Sequence, residues 1–381
     1  MNKNHLVINI AASRRFHLCN LAVELSRMGY DVRFYSYVPN KRLARFGLQS
    51  QYSCSLFWIM IPVLACLKLS KRAAWAIRLE WYVMDHIVGW FMRKCDVFIA
   101  MSSIYNYSFK IAKERFSART FLERGSVHAL QLKELYDERN INRNTNKNGY
   151  YELKSDFAIK RELEMYDFVD VISIASKTVY NTFTKFGGPV DKLFINPYGE
   201  NLSLFPPTTL CPTNQYDVIM VGNWSWMKGC DLLIEACKKL NLKLIHVGSC
   251  SMEFPQESNF YDVGVVDQKE VHKYMGQAKI FVLPSRQEGL AMVQIQALSS
   301  GLPLVCSAYT GGNTIKEYLG NTKYVKEFNP YNVDALCCSI REALLLANKQ
   351  KGVRIIEKEM NCVFSAHAYA QRYLDKILKN I

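Results

Sequence analysis

The chain has 381 residues, of which 49% are hydrophobic and 22% charged, so it is long enough for two domains with cores of their own. Lysine and arginine number 48 against 34 aspartate and glutamate, and this net charge of +14 predicts an anionic partner or surface. None of the RRM, KH, zinc-finger or basic-zipper patterns is present, which argues against nucleic acid as that partner. The twelve cysteines are scattered without a C-x-x-C pair or a His/Cys cluster, which predicts reduced thiols in the cytoplasm and neither structural zinc nor disulfides.

The chain begins with the pattern of a Rossmann-like βαβ unit. Residues 5–11 predict a buried strand, residues 18–28 a helix and residues 31–37 a second strand. The turn after the first strand reads AASRR, and its Arg14 and Arg15 either contact an anionic ligand or belong to a solvated basic loop. No targeting segment is predicted, because the first 18 residues lack the apolar core of a signal peptide.

Residues 56–67 form the most apolar run of the chain. The run is shorter than the roughly 20 residues that a membrane-spanning helix needs, and Pro62 interrupts it. Basic residues and tryptophans follow, namely Lys68, Lys71, Arg72, Trp75, Trp81 and Trp90. This combination is typical of a segment lying in the membrane interface, and the alternative is a helix pair buried in the first domain.

The rest of the first half continues the alternation of strands and helices. Strands are predicted at residues 95–101, from Phe121, at 169–175 and at 192–196, with helices at 158–168 and 177–186. The Asn-rich residues 137–151 predict a mobile loop. Residues 206–214 are rich in turn formers and predict a linker between a first domain, residues 1–205, and a second, residues 215–365.

The second half repeats the same alternation. Strands are predicted at residues 216–222, 243–248, 260–266, 278–283 and 304–307, with helices at 231–240, 269–277, 333–348 and 353–378. Within it, residues 284–303 read as a turn, a helix over 290–299 and a stop at Gly301. The helix start after Gly289 suits a phosphate, and Glu288 at the turn can accept hydrogen bonds from sugar hydroxyls.

Several motifs resemble those of the retaining glycosyltransferases of family 4. They are Glu288-Gly289-Leu290, Gln296-Ala297-Leu298, residues 301–305 (GLPLV), Lys228-Gly229 and residues 196–205. The resemblance implies an α/β protein of the GT-B fold, with two Rossmann-like domains facing a cleft and residues 366–381 crossing back onto the first domain. The chain departs from the family pattern at three places: Gln296 replaces its second glutamate, Asn223 an arginine, and Glu200-Asn201 a Val-Asp pair.

The resemblance also implies roles for individual residues. Glu288 would contact the donor sugar, Gln296 the ribose, and Lys228 the diphosphate. The backbone near Gly289, Leu290 and Ala291 would assist Lys228, and Asn223, Gly311 and Gly312 would lie beside the donor, as would Arg14 or Arg15. Glu123, Arg124 and His128 resemble an E-R-G-S-x-H segment of bacterial members, in which the histidine would accept a proton or bond the donor sugar.

The function implied is transfer of a hexose from a nucleotide-sugar to a glycan or lipid-linked acceptor in bacterial surface polysaccharide or lipopolysaccharide synthesis. No D-x-D motif lies in a suitable loop, so we expect neither a metal nor a cofactor besides the donor substrate. The expected location is the cytoplasm, with an anionic membrane surface as a further partner.

Three alternatives remain open. A nucleotide-sugar 2-epimerase shares the fold but needs more acid/base residues at the sugar than the sequence supplies. Asn223 and Gln296 also fit a catalytically degenerate GT-B protein that binds sugar nucleotide or another transferase. The third is a basic membrane-surface protein that uses the fold as a scaffold.

Overall fold

The computed structural model describes residues 6–137, 155–207, 215–349 and 357–379. The chain divides into two compact units: Met1–Ala175, Val179–Asn196 and Ala370–Ile381 form the first, and Ser176–Thr178 and Pro197–Tyr369 the second. Residues 138–151 of the expected mobile loop and 208–214 of the expected linker lie outside the described residues.

The first unit is built on a seven-stranded parallel sheet in the order β3-β2-β1-β4-β5-β6-β7. The strands are β1 Val7–Ala11, β2 Asp31–Ser36, β3 Ser53–Ser55, β4 Val97–Met101, β5 Arg119–Arg124, β6 Val171–Ile174 and β7 Leu193–Ile195. Most are apolar and buried, as strands of parallel sheets are. The order runs outward in opposite directions from β1 and β4, so this unit's topological switch point lies at their carboxyl ends, where such folds bind ligands.

Helices connect these strands. They are α1 Phe16–Arg27, α2 Asn40–Ala44, α3 Phe57–Leu69, α4 Ala74–Phe91, α5 Asn106–Lys110 with a π turn Ile111–Arg115, α6 Ala129–Asp137, α7 Asp156–Phe168 and α8 Lys177–Lys185. The apolar run at 56–67 thus forms most of α3, which pairs with α4. Among the described helices, none combines the length and apolar character needed to cross a bilayer.

The second unit has a six-stranded parallel sheet in the order β10-β9-β8-β11-β12-β13. The strands are β8 Tyr216–Val221, β9 Leu244–Val247, β10 Phe260–Asp262, β11 Ala278–Leu283, β12 Leu304–Ser307 and β13 Val325–Phe328. The helices are α9 Cys230–Leu240, α10 Val271–Met275, α11 Met292–Ser299, α12 Gly312–Tyr318, α13 Val333–Lys349 and α14 Glu357–Phe364. The switch point of this sheet lies between β8 and β11.

The C-terminal segment differs from its sequence prediction in one respect. A single helix is predicted over 353–378, whereas the structure has α14 and a separate α15, Ala366–Leu378. The break falls at Ser365, whose backbone pairs with Glu200 in an isolated parallel bridge. From Ala370 onward the chain belongs to the first unit, where the Tyr373 ring packs against Phe121 and Phe194. The expected return of the last helix to the first domain is therefore confirmed.

Candidate active site

Lys228 and Glu288 form an ion pair in the second unit, although 60 residues separate them in sequence. Lys228 follows β8 and Glu288 follows β11, so adjacent parallel strands deliver both side chains to the switch point. The two side chains are 25% and 18% exposed. A half-buried ammonium and carboxylate, side by side and open to solvent, can bind a phosphate and a sugar hydroxyl respectively.

The turn that carries Lys228 requires a glycine at the next position. Gly229 has φ = +69°, and a Cβ there would lie 2.0 Å from the carbonyl oxygen of Pro284. Only glycine allows the loop after β8 to approach the end of β11 this closely. Helix α9 begins directly after it, so the positive end of that helix lies beside Lys228.

Arg286 holds the same turn and was missed by the sequence analysis. Its guanidinium binds both carboxylate oxygens of Asp231 at 2.7 Å, donates to the Trp226 carbonyl and stacks 4.1 Å from the Trp226 ring centroid. Because Asp231 neutralises it and it is only 4% exposed, Arg286 does not replace the arginine that the family has at position 223. It positions the Lys228 turn instead.

The segment after Glu288 presents unpaired backbone donors. Within the described part of the chain, the N–H groups of Gly289, Leu290 and Ala291 have no hydrogen-bond acceptor. Helix α11 begins at Met292, two residues later than predicted, because Ala291 is extended with ψ = 118°. Three consecutive N–H groups without an acceptor, next to a helix start, can donate hydrogen bonds to an anion.

Gly311 and Gly312 lie next to this segment, at the junction of a turn with the start of α12. Gly311 has φ = +80°, and a Cβ there would approach Leu290 Cδ1 to 2.9 Å and the Gly289 carbonyl oxygen to 3.1 Å. Glu288 N donates to the Tyr309 carbonyl at 2.9 Å, which fixes the two turns together. The structure thus brings Lys228, Glu288 and both glycine-containing turns into one site at the carboxyl edge of the second sheet.

Gln296 is paired with a carboxylate from a distant segment. Its Nε2 donates to Glu200 Oε2 at 2.9 Å, and the two residues are 6% and 4% exposed. Gln268 Nε2 lies 3.4 Å from the same oxygen. A glutamate at 296 would place two carboxylates in contact, and one of them would have to be protonated at neutral pH. The carboxylate that the family pattern has at position 296 is thus supplied by Glu200, and the amide of Gln296 binds it. The two departures from the family pattern, at positions 200 and 296, therefore compensate each other.

Asn223 is held by the loop that follows β9. Its Oδ1 accepts hydrogen bonds from the hydroxyls of Ser249 and Ser251, each at 3.0 Å. The residue directly follows Gly222 at the end of β8, so it lies at the carboxyl edge where it was expected. Its amide supplies no positive charge. The charge for an anion at this site therefore comes from the Lys228 ammonium, assisted by the partial positive charges of the N–H groups of residues 289–291.

The two arginines after β1 lie at the switch point of the first sheet. Arg14 is exposed, and its Nε donates to the Tyr37 hydroxyl at 3.1 Å, which in turn donates to Glu80 at 2.8 Å. The hydrogen bond to Tyr37 raises the pKa of Arg14. The Arg15 guanidinium lies 4.0 Å from the Phe46 ring centroid. The predicted contact of both arginines with the donor stays a prediction.

Glu123 and Arg124 have partners inside the first unit. Glu123 is fully buried, accepts a hydrogen bond from the Tyr373 hydroxyl and lies 3.1 Å from His17 Nε2. The buried Arg124 pairs with Glu162 at 2.7 Å and donates to the Val127 carbonyl. Both side chains are buried and bonded to residues of the same unit, so neither is presented to solvent. The structure therefore gives no support to the predicted donor contacts of this pair.

His128 is 1% exposed and lies among aromatic rings. Its ring centroid is 4.9 Å from that of Phe183 and 5.2 Å from those of Phe186 and Tyr166. Burial, with the Arg124 charge nearby, lowers the pKa of His128 to about 4. The imidazole is neutral at pH 7 and packs in the core, so the structure does not place it where the predicted proton transfer would require it.

His246, Cys250 and Asp262 form a cluster that the sequence analysis did not find. One ligand atom from each lies within 4.8 Å of the others. His246 Nδ1 lies 2.7 Å from Asp262 Oδ1, and its Nε2 lies 2.8 Å from the Gly222 carbonyl oxygen. Both ring nitrogens of His246 therefore already have oxygen partners within the unit. The residues are 4 to 16 positions apart, on β9, its loop and β10, and their meeting follows from the pairing of those strands.

Comparison with known proteins finds similarity to glycosyltransferases. Residues 205–359 match the family of glycosyl transferases group 1. An uncharacterized glycosyltransferase of Methanocaldococcus jannaschii, MJ1607, is 26% identical over 196 residues, 45% of this chain and 50% of that protein. The putative colanic acid biosynthesis glycosyltransferase WcaL of Escherichia coli is 24% identical over 148 residues, 33% of this chain and 36% of that protein. The matches thus span half or less of these curated relatives.

Two solved structures share the fold of nearly the whole chain. Sucrose-phosphate synthase from Thermosynechococcus elongatus superposes with a TM-score of 0.69 at 13% identity, covering 99% of both chains. The Anabaena protein HepE, solved in complex with UDP, superposes with a TM-score of 0.61 at 12% identity, covering 99% of this chain and all of that one. The fold is therefore the GT-B fold, as predicted, and the match to glycosyl transferases group 1 lies within the second unit.

Proposed function

We propose that the chain is a retaining glycosyltransferase of the family 4 type, which moves a sugar from a nucleoside diphosphate to a hydroxyl of a glycan or lipid-linked acceptor. The observation that carries the proposal is the pairing of Lys228 with Glu288 beside the free N–H groups of residues 289–291. This arrangement combines two positive elements for a diphosphate with one hydrogen-bond acceptor for a sugar.

In the proposed complex the donor diphosphate lies against Lys228, the N–H groups of residues 289–291 and the start of α9. The carboxylate of Glu288 accepts hydrogen bonds from the donor sugar. Gln296 and its partner Glu200 hold the ribose hydroxyls, which supports the view that the amide at 296 does not disable the site.

The reaction breaks the bond between the anomeric carbon and the β-phosphate oxygen. The acceptor oxygen bonds to the same carbon on the same face, and its proton passes to an oxygen of the departing diphosphate. The protein stabilises the negative charge that develops on this leaving group, which is an electrostatic task for Lys228 and the backbone donors. No side-chain nucleophile is needed, and we propose that no metal is needed either.

The assignment to surface polysaccharide synthesis rests on the name of the WcaL relative. UDP-sugars are the first donors to test, because HepE was solved with UDP. Nucleotide-sugars are cytoplasmic metabolites, so we place the reaction in the cytoplasm, on its membrane face where the acceptor is lipid-linked.

A degenerate, non-catalytic binding protein is the second candidate. Asn223 favours it, since an arginine at that position would have added charge and a bidentate contact to the phosphate. This candidate binds a sugar nucleotide without releasing its nucleoside diphosphate.

Proton NMR of the anomeric signal separates the two. The purified protein is incubated with UDP-, GDP-, ADP- and dTDP-sugars in EDTA, with water or a short glycan as acceptor. We expect one donor to be consumed, with release of its nucleotide and an initial product of the same anomeric configuration. Binding of a donor without turnover supports the second candidate, and an inverted product contradicts retention.

A further inference from the structure

The exposed apolar side chains of the described residues are concentrated on the α3–α4 hairpin of the first unit. Nine of the nineteen exposed large apolar residues lie there. Trp58 is 79% exposed, Leu69 84%, Trp90 69% and Trp75 59%. The others are Ile59, Ile61, Leu79, Tyr82 and Phe91. A concentration of this kind marks an interaction surface rather than ordinary scatter.

Helix α3 explains why so much apolar surface remains exposed. Twelve of its thirteen residues are uncharged, and most are apolar. The apolar residues lie around the whole circumference of the helix, yet only Met60 and Leu67 are buried. A helix that is apolar on all sides normally lies inside a core or in a bilayer. Here one side packs on the protein, and the opposite side has no described protein segment covering it.

The basic side chains of the hairpin are exposed, whereas its acidic side chains are buried. Lys68, Lys71, Arg72 and Arg78 are exposed. The carboxylates of Glu80 and Asp85 are buried at 6% and 2%, and both face inward. Glu80 accepts from the Tyr37 hydroxyl, and Asp85 accepts from the backbone N–H groups at the start of α5. The outward side of α3 and α4 therefore carries apolar and basic groups and no carboxylate.

We infer that this outward side, which we call the hairpin face, docks on an anionic lipid bilayer. The helices would lie in the plane of the interface, with Trp58, Trp75 and Trp90 at the headgroup level and the basic residues on the anionic headgroups. Helix α3 has thirteen residues, about 20 Å, which suits an interfacial helix and is too short to cross the hydrocarbon core.

The positive charge of the hairpin face favours an anionic bilayer over a second copy of the chain as its partner. Two copies joined through the hairpin face would bring like-charged Lys and Arg clusters together without a carboxylate to compensate them. An anionic surface compensates them all. The inference does not depend on the transferase reaction, so either can fail without the other.

Vesicle flotation tests the inference directly. We expect the protein to float with vesicles of phosphatidylcholine and phosphatidylglycerol in 0.1 M salt, and binding to phosphatidylcholine alone to be much weaker. The double variant Lys71→Gln/Arg72→Gln should bind about thirty-fold more weakly, since each basic side chain at such a surface contributes about 1 kcal/mol. Trp58→Ser/Trp90→Ser should weaken binding at least about ten-fold.

The control is Leu345→Ser, which removes a 61% exposed apolar residue of α13 and should bind like the wild type. Circular dichroism confirms that all variants are folded. Wild-type protein that stays unbound to anionic vesicles contradicts the inference, as does binding that both double variants retain. A dimer in sedimentation that the tryptophan variant dissolves, without lipid binding, also overturns it.

Discussion

Replacing Lys228 by alanine is expected to lower kcat/KM by about 10²- to 10³-fold while leaving the fold intact. In the proposed complex the side chain supplies the positive charge next to the leaving diphosphate, and removing one such donor typically costs this much. It also leaves Glu288 as an unpaired carboxylate near the phosphate, which adds repulsion. Steady-state release of the nucleoside diphosphate measures the effect.

The matched control is Lys243→Ala. Lys243 is an exposed lysine of the same unit that precedes β9, at the amino edge of the sheet and away from the site. Glu288→Gln tests the other half of the pair and should also reduce turnover. The double variant should lose less than the product of the single losses, because each single change leaves a charge without its partner. Full activity of Lys228→Ala would place the diphosphate elsewhere.

Lowering the pH from 7 to 5 is expected to cost about 2 kcal/mol of the free energy of unfolding through His128 alone. The pKa of this residue is about 4 in the folded chain and about 6.5 in the unfolded chain, so between these values the unfolded state binds the proton. Stability is therefore full above pH 6.5 and falls as the pH approaches 4. The cause is the aromatic cluster, which cannot solvate an imidazolium.

Denaturant unfolding of the wild type and of His128→Phe at pH 7 and pH 5 measures this contribution. Phenylalanine fits an aromatic environment and has no titratable group, so the variant should lose about 2 kcal/mol less over the interval. Every other titrating group is common to both proteins and cancels in the difference. Identical losses in the two proteins would mean that His128 is solvated, as the catalytic prediction for it requires.

The fold was largely predictable because its signals are local. Runs such as AKIFVL and YDVIMV are apolar throughout, as fully buried parallel strands are, and the helices between them are amphipathic. The location of the residues after β8 and β11 could also be predicted from the sequence, because the carboxyl ends of parallel strands lie at one edge of the sheet. Lys228 and Glu288 could thus be assigned to one site before their contact was known.

Contacts between distant segments were not predictable in this way. The substitutions at positions 200 and 296 were visible as two separate departures, and only the 2.9 Å hydrogen bond between them reveals the compensation. Arg286 gave no signal beyond its place in the motif, because its partner Asp231 is 55 residues away. The roles predicted for Glu123 and His128 rested on motif similarity, and a motif does not determine whether a side chain is buried.

For the α3–α4 hairpin, the composition of the sequence left two alternatives. An apolar run followed by basic residues and tryptophans fits both a core helix pair and an interfacial one. The solvent exposure of Trp58, Trp75 and Trp90 favours the second, and composition alone cannot supply that quantity.

We propose that the second unit binds the diphosphate of a nucleotide-sugar at Lys228 without a metal. Thermal unfolding with a panel of nucleoside diphosphates, in EDTA, is the measurement to make first. A ligand at 100 times its dissociation constant stabilises the folded state by about 2.7 kcal/mol, which is readily measured. We expect a shift of the unfolding temperature with one nucleotide that persists in Lys243→Ala and is lost in Lys228→Ala. A shift that Lys228→Ala retains, or one that appears only when EDTA is replaced by a divalent metal, would contradict it.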